Sequence, residues 1–108
     1  MKYFRIIYSC GCGENEDYIK AHDLDEANCF AYEAAVEDYH CYEGYHGVLD
    51  ELDCLREVTG DEDITFDTAS DINIEEAYMM YADEIETTIS YRAEEVSEEE
   101  YNEYWERT

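Results

Sequence analysis

Two runs near the start of the chain have the side-chain alternation and composition of β-strands. They cover residues 2–9 (KYFRIIYS) and residues 17–22 (DYIKAH), and apolar positions on every second residue are typical of half-buried strands. The glycine-flanked stretch CGCGEN lies between them and predicts a hairpin turn. We therefore expect the chain to open with an antiparallel pair of strands.

A helical pattern follows the second strand. Asp23 and Glu26 have the spacing of a capping box, in which the N-cap residue and the residue three positions later exchange side-chain-to-backbone hydrogen bonds. The segment after them is rich in helix formers up to Gly44, so a helix is predicted over residues 23–43. Its inward stripe, mostly alanine and suited to lying close on a sheet, is predicted to be Leu24, Ala27, Ala31, Ala34 and Ala35.

The middle of the chain predicts two more helices. Residues 48–60 (VLDELDCLREVTG) place apolar side chains on one helical face and end at a glycine. Residues 61–72 predict either a loop or a short extended piece. Asn73 and Glu76 again have capping-box spacing, for a helix over residues 73–84. The inward residues of that helix are predicted to be Ile74, Ala77, Tyr78, Tyr81 and Ile85.

The last part of the chain predicts a strand and a helix. Residues 86–95 (ETTISYRAEE) alternate, and Ser97 with Glu100 gives a third capping box. Although this segment is strongly acidic, aromatic residues recur in it at helical spacing, so it is interpreted as a docked amphipathic helix and not as a disordered tail. Those aromatic residues are Tyr101, Tyr104 and Trp105.

The order of these elements, ββα–α–αβα, predicts an α+β fold with a three-stranded antiparallel sheet covered by helices. A length of 108 residues fits a single domain spanning residues 1–108, and an apolar and aromatic content of 45% is enough for a modest core. No apolar run approaches the ~20 residues that cross a bilayer, and the first residues lack the long apolar region of a signal peptide. An intracellular location is therefore expected.

Negative charge dominates the chain. Thirty-one Asp and Glu face six Lys and Arg, a net charge of −25. The predicted helices over 23–43 and 73–84 contain no Lys or Arg, and like charges on one helix face destabilise it by roughly 0.2–0.5 kcal/mol per pair. Because such a charge repels nucleic acid and anionic membranes, the expected partners are basic surfaces. Four of the six basic residues fall in the predicted strands: Lys2, Arg5, Lys20 and Arg92.

This charge indicates a mimic of DNA. Duplex DNA carries roughly one negative charge per ~1.7 Å of axis, so 25 net charges match about 12 base pairs. A compact domain of this length is about 30 Å across and could present the charge at a DNA-like density. The alternative is an acidic surface that only keeps the protein soluble. The predicted partner contacts are carboxylates on the solvent sides of three helices: Glu26, Glu33 and Glu37, then Glu75, Glu76 and Asp83, then Glu99, Glu103 and Glu106.

Metal binding and catalysis find little support. Cys10 and Cys12 are closer in sequence than the cysteine pairs of zinc sites, and residues 61–71 (DEDITFDTASD) lack the glycine and the bidentate glutamate of a calcium loop. No glycine-rich phosphate loop, nucleophile elbow or HExxH pattern occurs. We expect no metal, no cofactor and no enzymatic activity. The five cysteines, an odd number, are expected to be free thiols.

The stretch SCGCGENEDYIKAHDLDEANCFAYEAAVEDYHCYEGYHG resembles the N-terminal half of small acidic proteins carried by phages, plasmids and integrative elements of Firmicutes. Its most specific pieces are CGCGEN and YEGYHG. Some members of that group look like inhibitors of type II CRISPR effector nucleases. The resemblance implies a counter-defence role in the cytoplasm of a bacterial host cell, with no catalytic residues to carry over.

The sequence thus predicts an anti-CRISPR protein that inhibits a DNA-binding nuclease by occupying its basic DNA-binding or motif-reading groove. Type II effectors read their motif with arginines, and a carboxylate accepts the same bidentate arginine bonds as a guanine edge. Two alternatives remain open: an anti-restriction DNA mimic, and a non-catalytic acidic partner in a regulator or toxin complex of a mobile element. A homodimer is also left open, while direct binding to nucleic acid or to a membrane is not expected.

Overall fold

The computed structural model describes residues 1–107 and contains one sheet and four helices. The sheet order is β2-β1-β3, and both outer strands pair with β1 in antiparallel fashion. The predicted α+β class, the three-stranded antiparallel sheet and the order ββα–α–αβα are confirmed. The elements are β1 (Lys2–Ser9), β2 (Asn15–Ala21), α1 (Leu24–Tyr42), α2 (Glu51–Thr59), α3 (Asp71–Thr88), β3 (Ser90–Val96) and α4 (Glu98–Arg107).

Helix α1 begins at the predicted cap. The Asp23 side chain accepts a hydrogen bond from the backbone N–H of Glu26 at 2.8 Å, while the Glu26 carboxylate accepts one from the backbone N–H of His22 at 3.3 Å. Only half of the capping box is therefore formed. The prediction that Leu24 points inward is wrong, because this residue occupies the first helical position and is 49% exposed. The buried face instead continues toward the C-terminal end of the helix, as Ala27, Ala31, Ala35 and Tyr39.

Helices cover both faces of the sheet. Phe4 of β1 is fully buried in a cluster with Ala21 and with Ala27 of α1, so α1 lies on the Phe4 face. Because successive side chains of a strand point to opposite faces, Tyr3 belongs to the other face. There its ring contacts Tyr101 of α4, with centroids 4.9 Å apart. The two acidic helices α1 and α4 are thus separated by the sheet.

Helix α4 is capped and docked as the sequence predicts. The Ser97 hydroxyl oxygen accepts a hydrogen bond from the backbone N–H of Glu100 at 3.1 Å, and the Glu100 carboxylate accepts one from the backbone N–H of Ser97 at 3.4 Å. Tyr104 stacks on Tyr18 of β2 with ring centroids 4.4 Å apart. The indole N–H of Trp105 donates to the Tyr18 carbonyl at 3.1 Å. The acidic C-terminal segment is therefore an ordered helix held to the sheet by its aromatic side chains.

Helices α2 and α3 pair around a second core. Asp50 and Asp53 form a complete capping box at the start of α2. The helix ends at Gly60, whose φ of 69° lies in the left-handed region that glycine adopts at least cost. Residues 61–70 connect the two helices by turns. The fully or almost fully buried residues of this core are Cys54, Leu55 and Ala77.

Helix α3 starts earlier than predicted. Its cap is Ser70, which accepts a hydrogen bond from the backbone N–H of Asn73 at 3.3 Å, so the predicted cap at Asn73 is wrong by one turn. Tyr78 was predicted to point inward. It is 48% exposed and stacks on Phe66 of the α2–α3 connection, with ring centroids 5.8 Å apart.

Helix α3 also ends later than predicted. Residues 86–88, predicted as the start of a strand, are helical, and β3 begins only at Ser90. The Thr87 hydroxyl donates to the Asp83 carbonyl at 2.8 Å, one helical turn back. This bond satisfies the polar group of a β-branched residue within the helix, which sequence propensity disfavours there.

The molecule is elongated. Its Cα atoms span 56 × 24 × 19 Å with a radius of gyration of 17.9 Å, compared with about 13 Å for a compact chain of this length. The expected diameter of about 30 Å is therefore wrong, because the first half of α3 pairs with α2 and not with the sheet. Tyr81 of α3 packs against the core beneath α1 and against the α2–α3 core, and so joins the two ends. Within residues 1–107 no helix combines the length and apolar character needed to cross a membrane.

Candidate partner-binding surface

Three basic residues of the sheet lie close to carboxylates of the strands. Arg5 on β1 donates to Glu16 of β2 at 2.8 Å, and another of its nitrogens lies 3.7 Å from Glu94 of β3. Lys2 and Arg92 lie 3.7 and 3.2 Å from carboxylate oxygens of β3. These cations therefore compensate acidic residues of the sheet.

Two further basic residues also have local contacts. The Lys20 ammonium lies 5.8 and 5.5 Å from the ring centroids of Tyr3 and Tyr101, on the α4 side of the sheet. Arg56 pairs with Asp53, 3.6 Å away in the same helix. Among residues 1–107, no carboxylate of α1, α3 or α4 forms an ion pair with Lys or Arg. Ion pairs with Lys or Arg therefore do not offset the negative charge of these three helices, although α4 carries Arg107 in its last turn.

The outer face of α4 brings three predicted contact residues together. Glu99, Glu103 and Glu106 line one shallow surface along the helix. They share it with Glu98 and with uncharged polar side chains. Because the aromatic residues of α4 face the sheet, this outer side is wholly polar and can attract a basic surface only through charge.

On α1, two predicted contact residues share a groove and the third lies apart. Glu33 and Glu37 are exposed and line a groove of about 330 Å³ between α1 and the edge strand β2. Glu26 is half-buried at the start of the helix, and its carboxylate lies 3.1 Å from a ring nitrogen of His22. Glu26 therefore belongs to the helix start, whereas the other two face an open groove.

On α3, the predicted contact residues alternate with exposed apolar side chains. Glu75, Glu76 and Asp83 are all exposed. Ile72 and Met79, seven residues apart, are 69% and 64% exposed on the same helix. This surface differs from that of α4 because it offers apolar contact area as well as charge.

The nine predicted carboxylates do not converge on one site. Those of α1 and α4 lie on helices at opposite faces of the sheet, and those of α3 lie on the helix that extends the long axis toward α2. The structure brings together Glu33 with Glu37, and Glu99 with Glu103 and Glu106. Negative charge therefore surrounds the elongated molecule, which we call the rod, and does not form a single acidic face.

Asp38 has a role that the sequence did not reveal. Its carboxylate accepts hydrogen bonds from the backbone N–H of Cys10 and from the Asn15 side chain, both at 3.3 Å, and so ties the CGCGEN turn to α1. Burial raises the pKa of Tyr8 nearby, and the fields of Asp17 and Asp38 raise it further. No local pattern marks Asp38, because its partners lie more than 20 residues away in sequence.

Phe30 is a second residue that the sequence analysis missed. It lies on α1 and is 42% exposed in the groove beside Glu33 and Glu37. A signal was present in the sequence: Phe30 is a large apolar residue of a predicted helix that falls outside the predicted alanine stripe. Such a residue either packs against another element or is available to a partner.

The cysteines carry free thiols in two environments. Cys29 and Cys41 are exposed, whereas Cys10 and Cys54 are buried. Burial raises the pKa of each buried thiol to about 11, which keeps it protonated and unreactive near neutral pH. Across residues 1–107, no three His, Cys, Asp or Glu side chains are arranged to hold a metal ion.

No protein-family model, curated protein or solved structure matches the chain. What the surface binds must therefore be inferred from its charge, shape and chemistry.

Proposed function

We propose that the protein is a DNA mimic that inhibits a DNA-binding nuclease by occupying its basic groove. The observation that supports this most is the linear density of uncompensated charge. Twenty-five net negative charges along 56 Å give one per about 2.2 Å, compared with one per ~1.7 Å in duplex DNA. The rod is as long as about 16 base pairs at ~3.4 Å per step.

The placement of the charge also favours mimicry over a merely soluble surface. A protein that needs only solubility can intersperse both signs on its surface. Here Lys2, Arg5 and Arg92 pair with strand carboxylates, whereas the carboxylates of α1, α3 and α4 form no ion pair with Lys or Arg among residues 1–107. Carboxylates on opposite sides of a narrow rod resemble phosphates around a duplex axis, which suits a channel that grips DNA from two sides.

The specific form we propose is an anti-CRISPR protein that blocks a type II effector. The chemistry of the target supports this choice, because its motif-reading arginines donate to carboxylates in the same bidentate manner as to guanine edges. The choice also agrees with the resemblance of CGCGEN and YEGYHG to acidic proteins of Firmicutes mobile elements. In this role the protein acts by stoichiometric binding and not as an enzyme, in the cytoplasm of the bacterial host. An anti-restriction mimic would use the same surface on a different nuclease.

A second candidate function is favoured by the outer face of α3. A pure DNA mimic has no need of exposed apolar side chains, yet Ile72 and Met79 lie among carboxylates there. Interfaces between proteins combine such apolar contacts with a polar rim. This face suits an acidic partner within a regulator or toxin complex of a mobile element.

Competition with DNA tests the proposal. A guide-loaded type II effector is bound to a fluorescent duplex carrying its motif, and the protein should displace the duplex in a stoichiometric, salt-sensitive manner. Because exposed ion pairs contribute roughly 0.2–1 kcal/mol each, Glu99→Gln alone should weaken competition by no more than about fivefold. The triple variant Glu99→Lys, Glu103→Lys, Glu106→Lys turns attraction into repulsion and should weaken competition with DNA about 100-fold.

The controls separate the two candidates. If triple reversals on α1, α3 and α4 all leave competition intact, the acidic surface is only solvated and the mimic proposal fails. Salt-insensitive binding to a single partner without DNA activity, lost on Ile72→Ser with Met79→Ser, would support the regulator or toxin complex instead.

A further inference from the structure

The groove between α1 and β2 combines an apolar floor with an acidic rim. Ile6 of β1, Ile19 of β2 and Ala34 of α1 are among the residues that line its volume of about 330 Å³. The Lys20 side chain also lines it, but its ammonium lies near the Tyr3 ring on the α4 side of the sheet. The groove thus has apolar contact area without a cation of its own at its centre. Its acidic and aromatic lining residues are Asp17, Phe30, Glu33 and Glu37.

Helix geometry sets the spacing of the α1 side of the groove. Phe30, Glu33 and Glu37 are separated by three and four residues, so they lie along one face of the helix. The two glutamates are about 6 Å apart along the helix axis at ~1.5 Å per residue. Asp17 faces them from β2. Three carboxylates and an exposed aromatic ring therefore line the same groove.

The electrostatic field of this region is strongly negative. Asp17 and Glu37 both raise the pKa of Tyr8, after burial and together with Asp38, so their fields overlap at this part of the sheet. None of the three groove carboxylates forms an ion pair with a Lys or Arg of residues 1–107. A cation from outside is the group that this field attracts.

Arginine fits these features better than any other cationic side chain. Its aliphatic stem buries apolar surface, its planar guanidinium stacks on an aromatic face, and its N–H groups donate to more than one carboxylate. Lysine offers a stem and a point charge but no plane to stack. The outer face of α4, which is wholly polar, attracts cations but has no apolar floor to hold a stem.

We propose that the groove between α1 and β2 seats one arginine side chain of the basic partner, with its guanidinium over Phe30 and between the Glu33 and Glu37 carboxylates. The inference rests on the proposed function for the basic character of the partner. It adds a specific contact at this subsite to the long-range attraction that the outer carboxylates of α4 contribute.

A titration of the full protein with a short arginine peptide tests the subsite directly. In ¹⁵N-edited NMR spectra at low salt, acetyl-Gly-Arg-Gly-amide should shift the amides of Ile19, Phe30 and Ala34 before those of α4. The corresponding lysine peptide should bind more weakly. Phe30→Ala and Phe30→Leu should each weaken binding about threefold, because the stacking contact is exposed. Both variants should keep the native spectrum elsewhere, since Phe30 is 42% exposed.

Matched charge variants separate the groove from general attraction. Glu33→Gln with Glu37→Gln should weaken peptide binding about fivefold, as expected for two exposed pairs of roughly 0.2–1 kcal/mol each. Glu99→Gln with Glu103→Gln removes the same two charges at the same spacing on α4 and should weaken it less than about twofold. Equal losses in the two doubles, equal binding of the two peptides, or uniform shifts along all acidic helices would overturn the subsite.

Two further outcomes are decisive. Groove shifts that appear on concentrating the protein without peptide would assign the groove to a second copy of the chain and overturn the inference. If the peptide seats as expected but the protein does not compete with DNA for the effector, the subsite stands and the proposed function fails. If the protein competes with DNA, and the Phe30→Ala and Glu33→Gln/Glu37→Gln variants compete as well as the original protein, the proposed subsite is overturned but the proposed function is not.

Discussion

Replacing Glu103 and Glu106 by glutamine should make the protein more stable at low salt. Both side chains are exposed on α4, and neither pairs with Lys or Arg in residues 1–107. Glu103 follows Glu99 by four residues and precedes Glu106 by three, so it has a like charge on each side along one helix face. Glu106 also lies in the last turn, where the helix dipole repels a carboxylate.

The expected gain follows from these terms. Two like-charge pairs cost about 0.2–0.5 kcal/mol each, and a carboxylate in the last turn costs at least about 0.3 kcal/mol. Replacing Glu103 also removes its attraction to Arg107 four residues later, about 0.2–0.5 kcal/mol, so the double variant should gain about 0.6 kcal/mol. The control Glu98→Gln with Glu99→Gln removes the same charge from the first turn, where the dipole favours a carboxylate. The control loses two dipole contributions of at least about 0.3 kcal/mol each and relieves one like-charge pair, so its stability should not rise.

Urea unfolding measures both variants. Trp105 is the single tryptophan and contacts β2 through its indole, so its fluorescence reports on the docking of α4, while circular dichroism reports on the whole fold. The gain should disappear in molar salt, where the Debye length falls to about 3 Å. An equal gain in the first-turn control, or a gain that persists in molar salt, would show that charge repulsion on α4 is not its cause.

Three other predictions concern buried side chains. Tyr39→Phe should lower the free energy of unfolding by about 1 kcal/mol, because the hydroxyl of this fully buried ring donates to the Leu49 carbonyl at 2.6 Å. The control Tyr45→Phe changes a ring that is 68% exposed and should leave urea unfolding unchanged. Equal effects of the two substitutions would contradict this prediction. Burial raises the pKa of Cys54 from near 9 to about 11. The stability that its protonated thiol contributes is therefore complete below pH 9 and is lost as the pH rises through 11. Urea unfolding across this pH range measures the loss. Near neutral pH a thiol reagent should label Cys29 at once but Cys54 only as fast as the protein unfolds.

Elements whose start is marked by adjacent residues could be predicted well from the sequence. The bounds of β1 agree with the prediction, and the helices capped by Asp23 and Ser97 begin where their capping residues place them. At α3 the capping-box spacing of Asn73 and Glu76 indicated the wrong start, because the residue that caps the helix is Ser70. Ser70 has Asn73 and not Glu or Gln three residues later, so it lacks the capping-box signal.

The end of α3 shows how a long-range contact overrides local propensity. The β-branched run at residues 87–89 is typical of a strand. In the fold, the Tyr32 hydroxyl of α1 donates to the Glu86 carboxylate, 54 residues away, and Ile89 is buried in the core beneath α1. Both interactions involve residues of α1 that are distant in sequence, which no local window contains.

The candidate surface was predictable only in part for the same reason. Helical spacing correctly grouped Glu33 with Glu37, and Glu99 with Glu103 and Glu106. The sequence could not give the separation of α1 and α4 by the sheet, the extension of α3 beyond it, or the groove at Phe30. Each of these depends on how the elements pack.

The charge placement couples the stability of the free protein to its binding. The rod is 19 to 24 Å thick, so carboxylates on opposite sides of the sheet are separated by more than the Debye length of about 8 Å at physiological salt, and repulsion acts mainly within each helix face. A basic channel that grips the rod relieves this repulsion and forms its ion pairs with the same carboxylates. Binding should therefore stabilise the fold. It follows that Glu103→Gln with Glu106→Gln, more stable alone, should compete less well with DNA; if it is more stable and competes equally well, α4 lies outside the partner interface.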